Sequence, residues 1–157
     1  MDEIVQVAGS VRPYTTKQMG DACEMLIAAE LTLAGVPAMK APDFWPGYDV
    51  IAQPVDRPAQ RISVKARTRA NDTKAFRFHA EDAFDWIAFV LIPATTAERR
   101  RIFIVPSDIA RAAASRAESG RQRMTIARVI REFEQFEDNF ALQSSNCLLY
   151  TSDAADE

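Results

Sequence analysis

Apolar residues recur at a helical spacing in the first part of this chain. From residue 16 to about residue 34 they fall three or four positions apart, which is the spacing of one face of an α-helix. Thr15 or Thr16 can cap the start of this helix, and Gly35 followed by Pro37 ends it. The apolar stripe consists of Met19, Cys23, Leu26, Ile27, Leu31 and Ala34. The pattern predicts one long amphipathic helix.

Beyond Pro37 the pattern changes to short extended segments separated by turn residues. Trp86–Ile92 is almost continuously apolar, as a strand buried on both faces would be. In Arg61–Thr68 the apolar residues at even positions face one way and the polar residues at odd positions face the other. Further strands are predicted at Pro37–Ala41, Tyr48–Gln53, Ala75–Phe78 and Arg101–Val105. Two helices are then predicted, from Ser107 to about Glu118 and from about Thr125 to Phe140.

The order of these elements indicates an α/β (α+β) domain in which helices pack against a sheet. We expect a central mixed sheet of four to five strands flanked by helices, within one domain over residues 14–146. Residues 1–13 are expected to form a flexible N-terminal arm with a short strand at Ile4–Val7. Residues 147–157 resemble a translated sequencing adapter, which predicts a non-native tail and a metagenomic source.

Composition and charge are those of an ordinary globular chain. Of the 157 residues, 48% are hydrophobic and 26% are charged. No apolar run approaches the roughly 20 residues that span a bilayer, and no signal-peptide pattern is present, which favours a cytoplasmic location. The net charge of -3 becomes zero without the three acids of the tail. Cys23, the one cysteine outside the tail, argues against a disulfide framework or a cysteine zinc site.

Polar residues interrupt strands that otherwise suit burial. Asp49 lies in Gly47-Tyr48-Asp49-Val50-Ile51, and Lys65 shares a strand face with Ser63 on the next strand. An acid and a lysine on neighbouring strands can hold a divalent metal and a water beside a phosphodiester. Glu24 lies at the edge of the helical stripe, where an ionised group needs a partner, a metal or a wet cavity.

This ordered set of motifs resembles the PD-(D/E)XK nuclease superfamily, which has the restriction-endonuclease-like fold. The resemblance covers about residues 16–106. Tyr48-Asp49 resembles the aspartate strand, although Gly47-Tyr48 replaces its proline, and Ser63-Val64-Lys65 resembles the (D/E)XK strand. The other matching segments are Gly20-Asp21-Ala22-Cys23-Glu24 for the first helix, and Asp85–Val90 and Arg101–Pro106 for the next two strands.

The resemblance implies a role for each matching residue. Asp49 would be the central metal ligand and Glu24 a ligand from the helix, with the backbone carbonyl of Val64 as a further one. Lys65 would orient the attacking water or stabilise the transition state. The implied cofactor is Mg²⁺ or Mn²⁺, and the implied substrate is DNA.

Ser63 departs from this pattern, because the superfamily usually has an acid at this catalytic position, although some members carry a glutamine or another residue there. A neutral hydroxyl is a poor magnesium ligand, so Glu24, Glu30 or Asp43 would have to compensate. Two functions stay open: a magnesium-dependent endodeoxyribonuclease, or a catalytically inactive nuclease-fold domain that binds nucleic acid or a protein partner. Nuclease folds of this size often dimerise to cut both strands, so a homodimer is a further expectation.

A locally basic stretch follows the lysine strand and would suit phosphate contacts with DNA. Its predicted nucleic-acid-binding residues are Arg61, Arg67, Arg69, Lys74 and Arg77. The plainer interpretation is a solvated edge, in which Lys65 belongs to an outward polar row. In the same plainer interpretation Asp49 caps a turn, and Glu24 is an exposed helix residue.

Overall fold

A five-stranded mixed sheet forms the centre of the computed structural model, which describes residues 4–7, 10–95 and 97–144. In chain order the elements are β1 (Ile4–Val7), β2 (Ser10–Thr15), α1 (Thr16–Leu33), β3 (Ala38–Lys40), β4 (Val50–Ala52), β5 (Gln60–Thr68), β6 (Ala75–His79), β7 (Trp86–Ile92), β8 (Arg101–Pro106), α2 (Ser107–Ala113), β9 (Ser115–Arg116), β10 (Arg121–Thr125), α3 (Ile126–Glu132) and a 3₁₀ turn at Glu134–Phe136. The central sheet has the order β3-β4-β5-β7-β8, and a smaller sheet has the order β6-β10-β9.

Strands β5 and β7 are parallel, and every other neighbouring pair in the central sheet is antiparallel. The register of β5 and β7 runs from Ile62 opposite Trp86 to Thr68 opposite Ile92. Parallel neighbours need a crossover connection, because the chain must return to the same end of the sheet. Residues 69–85 make this crossover and carry β6 with them.

Each face of the central sheet is covered by its own hydrophobic core. On one face, α1 packs through Cys23, Ile27 and Leu31 against alternate residues of β5, β7 and β8. On the other face, β6, β10, α2 and α3 enclose an aromatic cluster centred on Phe89. Phe89 stacks on Phe133 with ring centroids 5.8 Å apart. Strand β7 is therefore buried on both faces, which explains its continuous apolar run.

The predicted fold class is confirmed, with a mixed sheet of five strands flanked by helices. The long helix begins as its sequence predicts, because Thr15 forms a capping box with Gln18. Among the described residues, no helix is long and apolar enough to cross a membrane. The predicted tail at residues 147–157 lies outside the described residues.

Several elements differ from their predicted bounds. The strand expected at Ile4–Val7 is present, and it pairs with β2 in a two-stranded hairpin that continues beyond the predicted arm. The helix that begins at Ser107 ends at Ala113, since the next residues pair with β10. The last helix stops at Glu132, where Phe133 and Phe136 turn into the aromatic core.

Truncating Phe89 tests the importance of the aromatic core. We expect Phe89→Ala to lower the free energy of unfolding by about 3–5 kcal/mol, because a large cavity would open among fully buried rings. Urea unfolding measures this change. The matched control is Phe44→Ala, since Phe44 is 83% exposed and its truncation should change stability by less than about 0.5 kcal/mol. Equal effects of the two substitutions would contradict the described core.

Candidate active site

Asp49 lies just before β4 and is fixed by three hydrogen bonds. Its backbone N–H donates to the carbonyl of Ile62 at 2.9 Å, and its carbonyl accepts from the N–H of Ala41 at 2.8 Å. Its carboxylate accepts from the backbone N–H of Val64, with 2.7 Å between Oδ2 and N. The side chain is therefore held against β5 by a charge-assisted bond, which is stronger than a neutral one.

The turn before Asp49 can be formed only by a residue without a side chain. Gly47 has φ of +86°, a conformation that other residues rarely adopt. A Cβ added there would lie 2.7 Å from the backbone nitrogen of Ala83. Gly47 thus allows the loop between β6 and β7 to pack directly under the segment that carries Asp49.

The backbone of Val64 is directed toward the same place. Pairing between β4 and β5 ends at Val50 and Ile62, so Val64 lies beyond the last strand pair on that side. In an extended strand the N–H and the C=O of one residue leave the backbone on the same side. Since the N–H of Val64 bonds to Asp49, its carbonyl is directed to the same edge of β5. Two oxygen donors, from Asp49 and Val64, therefore share this edge.

Glu24 stands on α1 within a cluster of acids. Asp21 lies three residues earlier on the same helical face, and Asp43 follows β3. Ligand oxygens of these three carboxylates lie within 4.8 Å of one another. The side chain of Glu24 is only 18% exposed. The cluster has the hard oxygen donors that magnesium and manganese prefer.

The charge of this cluster is unevenly compensated. Lys40 Nζ lies 2.6 Å from Asp43 and 3.5 Å from Glu24. Its hydrogen bond to Asp43 lowers the pKa of that carboxyl group. Burial, reinforced by the charge of Asp49, raises the pKa of Glu24 despite the nearby ammonium. Glu24 and Asp49 are thus close enough for their charges to repel, and an added cation would favour the ionised form of Glu24.

The other two predicted catalytic residues face the opposite side of the sheet. Ile62 and Val64 pack into the core beneath α1, so Ser63 and Lys65 are directed to the other face. Ser63 is 3% exposed. Lys65 forms no hydrogen bond or ion pair with the described residues, and it lines a groove with Arg67 and others. Lys65 thus has an ammonium free to meet a ligand.

The predicted basic stretch divides into engaged and free side chains. Arg61 pairs with Asp85, and Arg69 makes a bidentate pair with Asp72. Arg67 donates to the carbonyl of Ala75 at 2.8 Å, which ties β5 to β6. The two remaining members, Lys74 and Arg77, are exposed and make no such contact among the described residues.

Sequence reasoning overlooked two residues of the site, Asp21 and Lys40. Asp21 had a signal, because it lies one helical turn before Glu24 and must share its face. Lys40 had none, because only the packing of β3 beside α1 brings it to Glu24. Its ammonium stands between Glu24 and Asp43, where it neutralises part of the cluster.

The raised pKa of Glu24 predicts a pH-dependent stability. A carboxyl group with a raised pKa in the folded state contributes stability at low pH, and this contribution is lost as pH rises through the folded pKa. We expect Glu24→Gln to melt above the wild type at about pH 7 without metal, with a difference that shrinks toward about pH 4. Thermal melting across this range measures it. Glu81→Gln, at an exposed glutamate, should show no such trend; a constant difference for Glu24→Gln would contradict the prediction.

Comparison with known proteins supports the fold. No protein-family model matches the sequence, and a comparison with curated proteins found no match. A bacterial homing endonuclease, I-Ssp6803I, has a similar structure with a TM-score of 0.58 and 13% identity, over 92% of this chain and 99% of that chain. A weaker likeness, with a TM-score of 0.42 and 18% identity, is to the Holliday junction resolvase Hjc of Archaeoglobus fulgidus, over 66% of this chain and 88% of that chain. At this identity, the likeness to the homing endonuclease establishes a shared nuclease-like fold and nothing finer.

Proposed function

We propose that this protein is a metal-dependent endonuclease that hydrolyses phosphodiester bonds in DNA. The observation that carries the proposal is the hydrogen bond from the N–H of Val64 to the carboxylate of Asp49. This hydrogen bond fixes the carboxylate of Asp49 at the open edge of β5, beside Val64, which directly precedes Lys65. The solved structure with the more similar fold is a homing endonuclease, which supports the same class of reaction.

The available donors fit a hard divalent cation such as Mg²⁺ or Mn²⁺. Asp49, Glu24 and the carbonyl of Val64 would hold it. Ser63 is buried and neutral, so we assign the missing carboxylate to Asp43, whose oxygen lies within 4.8 Å of that of Glu24. A metal bound there would neutralise developing negative charge and lower the pKa of a water.

The residues of the chain would divide the remaining work between them. The fixed carboxylate of Asp49 would accept a hydrogen bond from the attacking water and restrict its orientation. Lys65 has no competing partner among the described residues, so its ammonium would donate to a phosphate oxygen as charge develops there. The chain is expected to act in the cytoplasm and as a homodimer when both strands are cut.

Cleavage of supercoiled plasmid and of branched DNA with Mg²⁺ tests the proposal. We expect Asp49→Ala and Lys65→Ala each to reduce the rate by about 100-fold or more, the magnitude typical of losing one group that stabilises the transition state. A control is Asp56→Asn, because Asp56 is a largely exposed acid whose ion pair is with its neighbour Arg57. Its rate should match the wild type.

Two outcomes would contradict the proposal. One is cleavage that persists in both Asp49→Ala and Lys65→Ala, which would point to a contaminating nuclease. The other is a wild-type protein that folds and binds DNA but cuts none of these substrates with either Mg²⁺ or Mn²⁺.

The second candidate function is a catalytically inactive nuclease-fold domain that binds nucleic acid or a protein partner. A specific observation favours it: the ammonium of Lys40 already stands between the carboxylates of Glu24 and Asp43. A built-in cation there would stabilise the acids without metal. The buried Ser63 supports this alternative as well.

Metal titration of a Lys40 variant separates the two candidates. If the acids form a metal site, Lys40→Gln should bind Mn²⁺ about tenfold more tightly than the wild type, because a competing charge a few ångströms away is removed. Isothermal titration calorimetry measures the affinity. Lys74→Gln is the matched control, since Lys74 is an exposed lysine whose side chain forms no ion pair among the described residues. Unchanged affinity in Lys40→Gln, together with binding that survives Asp49→Ala, would favour the inactive domain.

A further inference from the structure

The small sheet carries a row of arginines on its outward face. Strands β6 and β10 are antiparallel, with Arg77 directly opposite Arg123 and His79 opposite Arg121. The intervening residues, Phe78 and Gln122 among them, are buried against the aromatic core. The three arginines are exposed. Two separate parts of the sequence therefore place three guanidinium groups on one surface.

This arrangement has an electrostatic cost that no ion pair in the described part of the chain relieves. Like charges directly opposite each other on neighbouring strands destabilise a sheet. Among the described residues, none of the three guanidinium groups forms an ion pair or a hydrogen bond. Engaged arginines elsewhere behave differently, since Arg61 and Arg69 each have an aspartate partner. Within the described residues the row on the small sheet has no ion-pair partner, and an anionic ligand would supply one.

The arginine row also continues toward the candidate active site. Lys65, Arg67 and Arg77 line one groove between β5 and β6. Arg77 belongs both to this groove and to the pair with Arg123. A polyanion lying along Arg121, Arg123 and Arg77 would therefore reach Lys65 without leaving the basic surface.

We infer that the outward face of β6 and β10, with Arg77, Arg121 and Arg123, binds the phosphate backbone of duplex DNA. Residues two apart on a strand advance by roughly 6.8 Å, about twice the 3.4 Å rise per base pair, so a run of regularly spaced phosphates can meet the row. The contacts are to phosphates and carry no sequence preference. This inference rests on the proposed function in taking DNA as the ligand, and it extends the binding surface to two residues outside the predicted basic stretch.

Salt-dependent binding of a short DNA duplex tests the inference, with Ca²⁺ in place of Mg²⁺ to prevent cleavage. Fluorescence anisotropy would be measured from about 50 to 200 mM salt. We expect the double variant Arg77→Gln/Arg123→Gln to bind at least about tenfold more weakly at low salt. The plot of log K against log salt has a negative slope, and its magnitude should decrease by about two, since each lost phosphate contact contributes about 0.9.

The controls separate a binding role from a structural one. Arg131→Gln removes one charge from an arginine on α3 whose side chain is 71% exposed. Arg123→Gln removes one charge from the proposed surface. Only Arg123→Gln should reduce the salt slope, by about one. Neither Arg123→Gln nor the double variant should melt below the wild type, because each reduces repulsion across the strand pair.

Three outcomes would overturn the inference, and a fourth would bear only on the proposed function. One is an unchanged salt slope in the double variant, and another is a wild type that does not bind the duplex at low salt. A third is binding to vesicles of anionic lipid that is as tight as binding to the duplex and depends on Arg123, because it would assign the surface to a membrane. A wild type that binds through these arginines but never cuts DNA with Mg²⁺ would refute the proposed catalysis while upholding the binding surface.

Discussion

Strands β5 and β7 lie side by side in parallel, and this pairing determines which parts of the chain can reach the candidate site. A parallel connection must leave the sheet and return, so residues 69–85 cross the face opposite α1 and place β6 there. Strand β10 then pairs with β6 and brings Arg121 and Arg123 beside Arg77. Lys65 is directed to that same face. The basic surface and the lysine therefore share one side of the sheet because β5 and β7 run in the same direction.

The acids Glu24 and Asp49 approach β5 from the α1 face and from the strand edge, and not from the face that carries Lys65. Glu24 approaches from α1, and the Asp49 carboxylate meets β5 at its edge, while Lys65 follows Val64 on the opposite face. Asp49 reaches the backbone of Val64 where the pairing of β4 with β5 ends, one residue before Lys65. A fold that separates its carboxylates from its arginines in this way can admit a cation from one side and a polyanion from the other. The carboxylates and the arginines then neutralise each other less directly.

The sequence was informative wherever one local rule controlled the outcome. Burial on both faces predicts β7 from its apolar run, and capping chemistry predicts the start of α1 at Thr15. Strand β10 could not be predicted, because its inward Gln122 is polar yet buried and bonded to the carbonyl of Arg111. For the candidate site, the structure places Glu24 on α1, Lys65 on β5 and Asp49 just before β4, and their roles stay predictions. The place of Lys40 between two acids depends on tertiary packing, which no spacing along the chain records.

Gly47, two residues before Asp49, offers a practical criterion for recognising this candidate site in other sequences. A lysine or an acid can occur on a strand for many reasons, but Gly47 combines a positive φ with a contact to the Ala83 backbone that leaves no room for a side chain. Any larger residue would push apart the two loops and shift the aspartate away from Val64. A homologue that keeps the acid but replaces this glycine has therefore lost the geometry, whatever its motif suggests. A search that requires a glycine at the position of Gly47, in addition to the charged residues, would separate chains that preserve this turn from those that share only the charged residues.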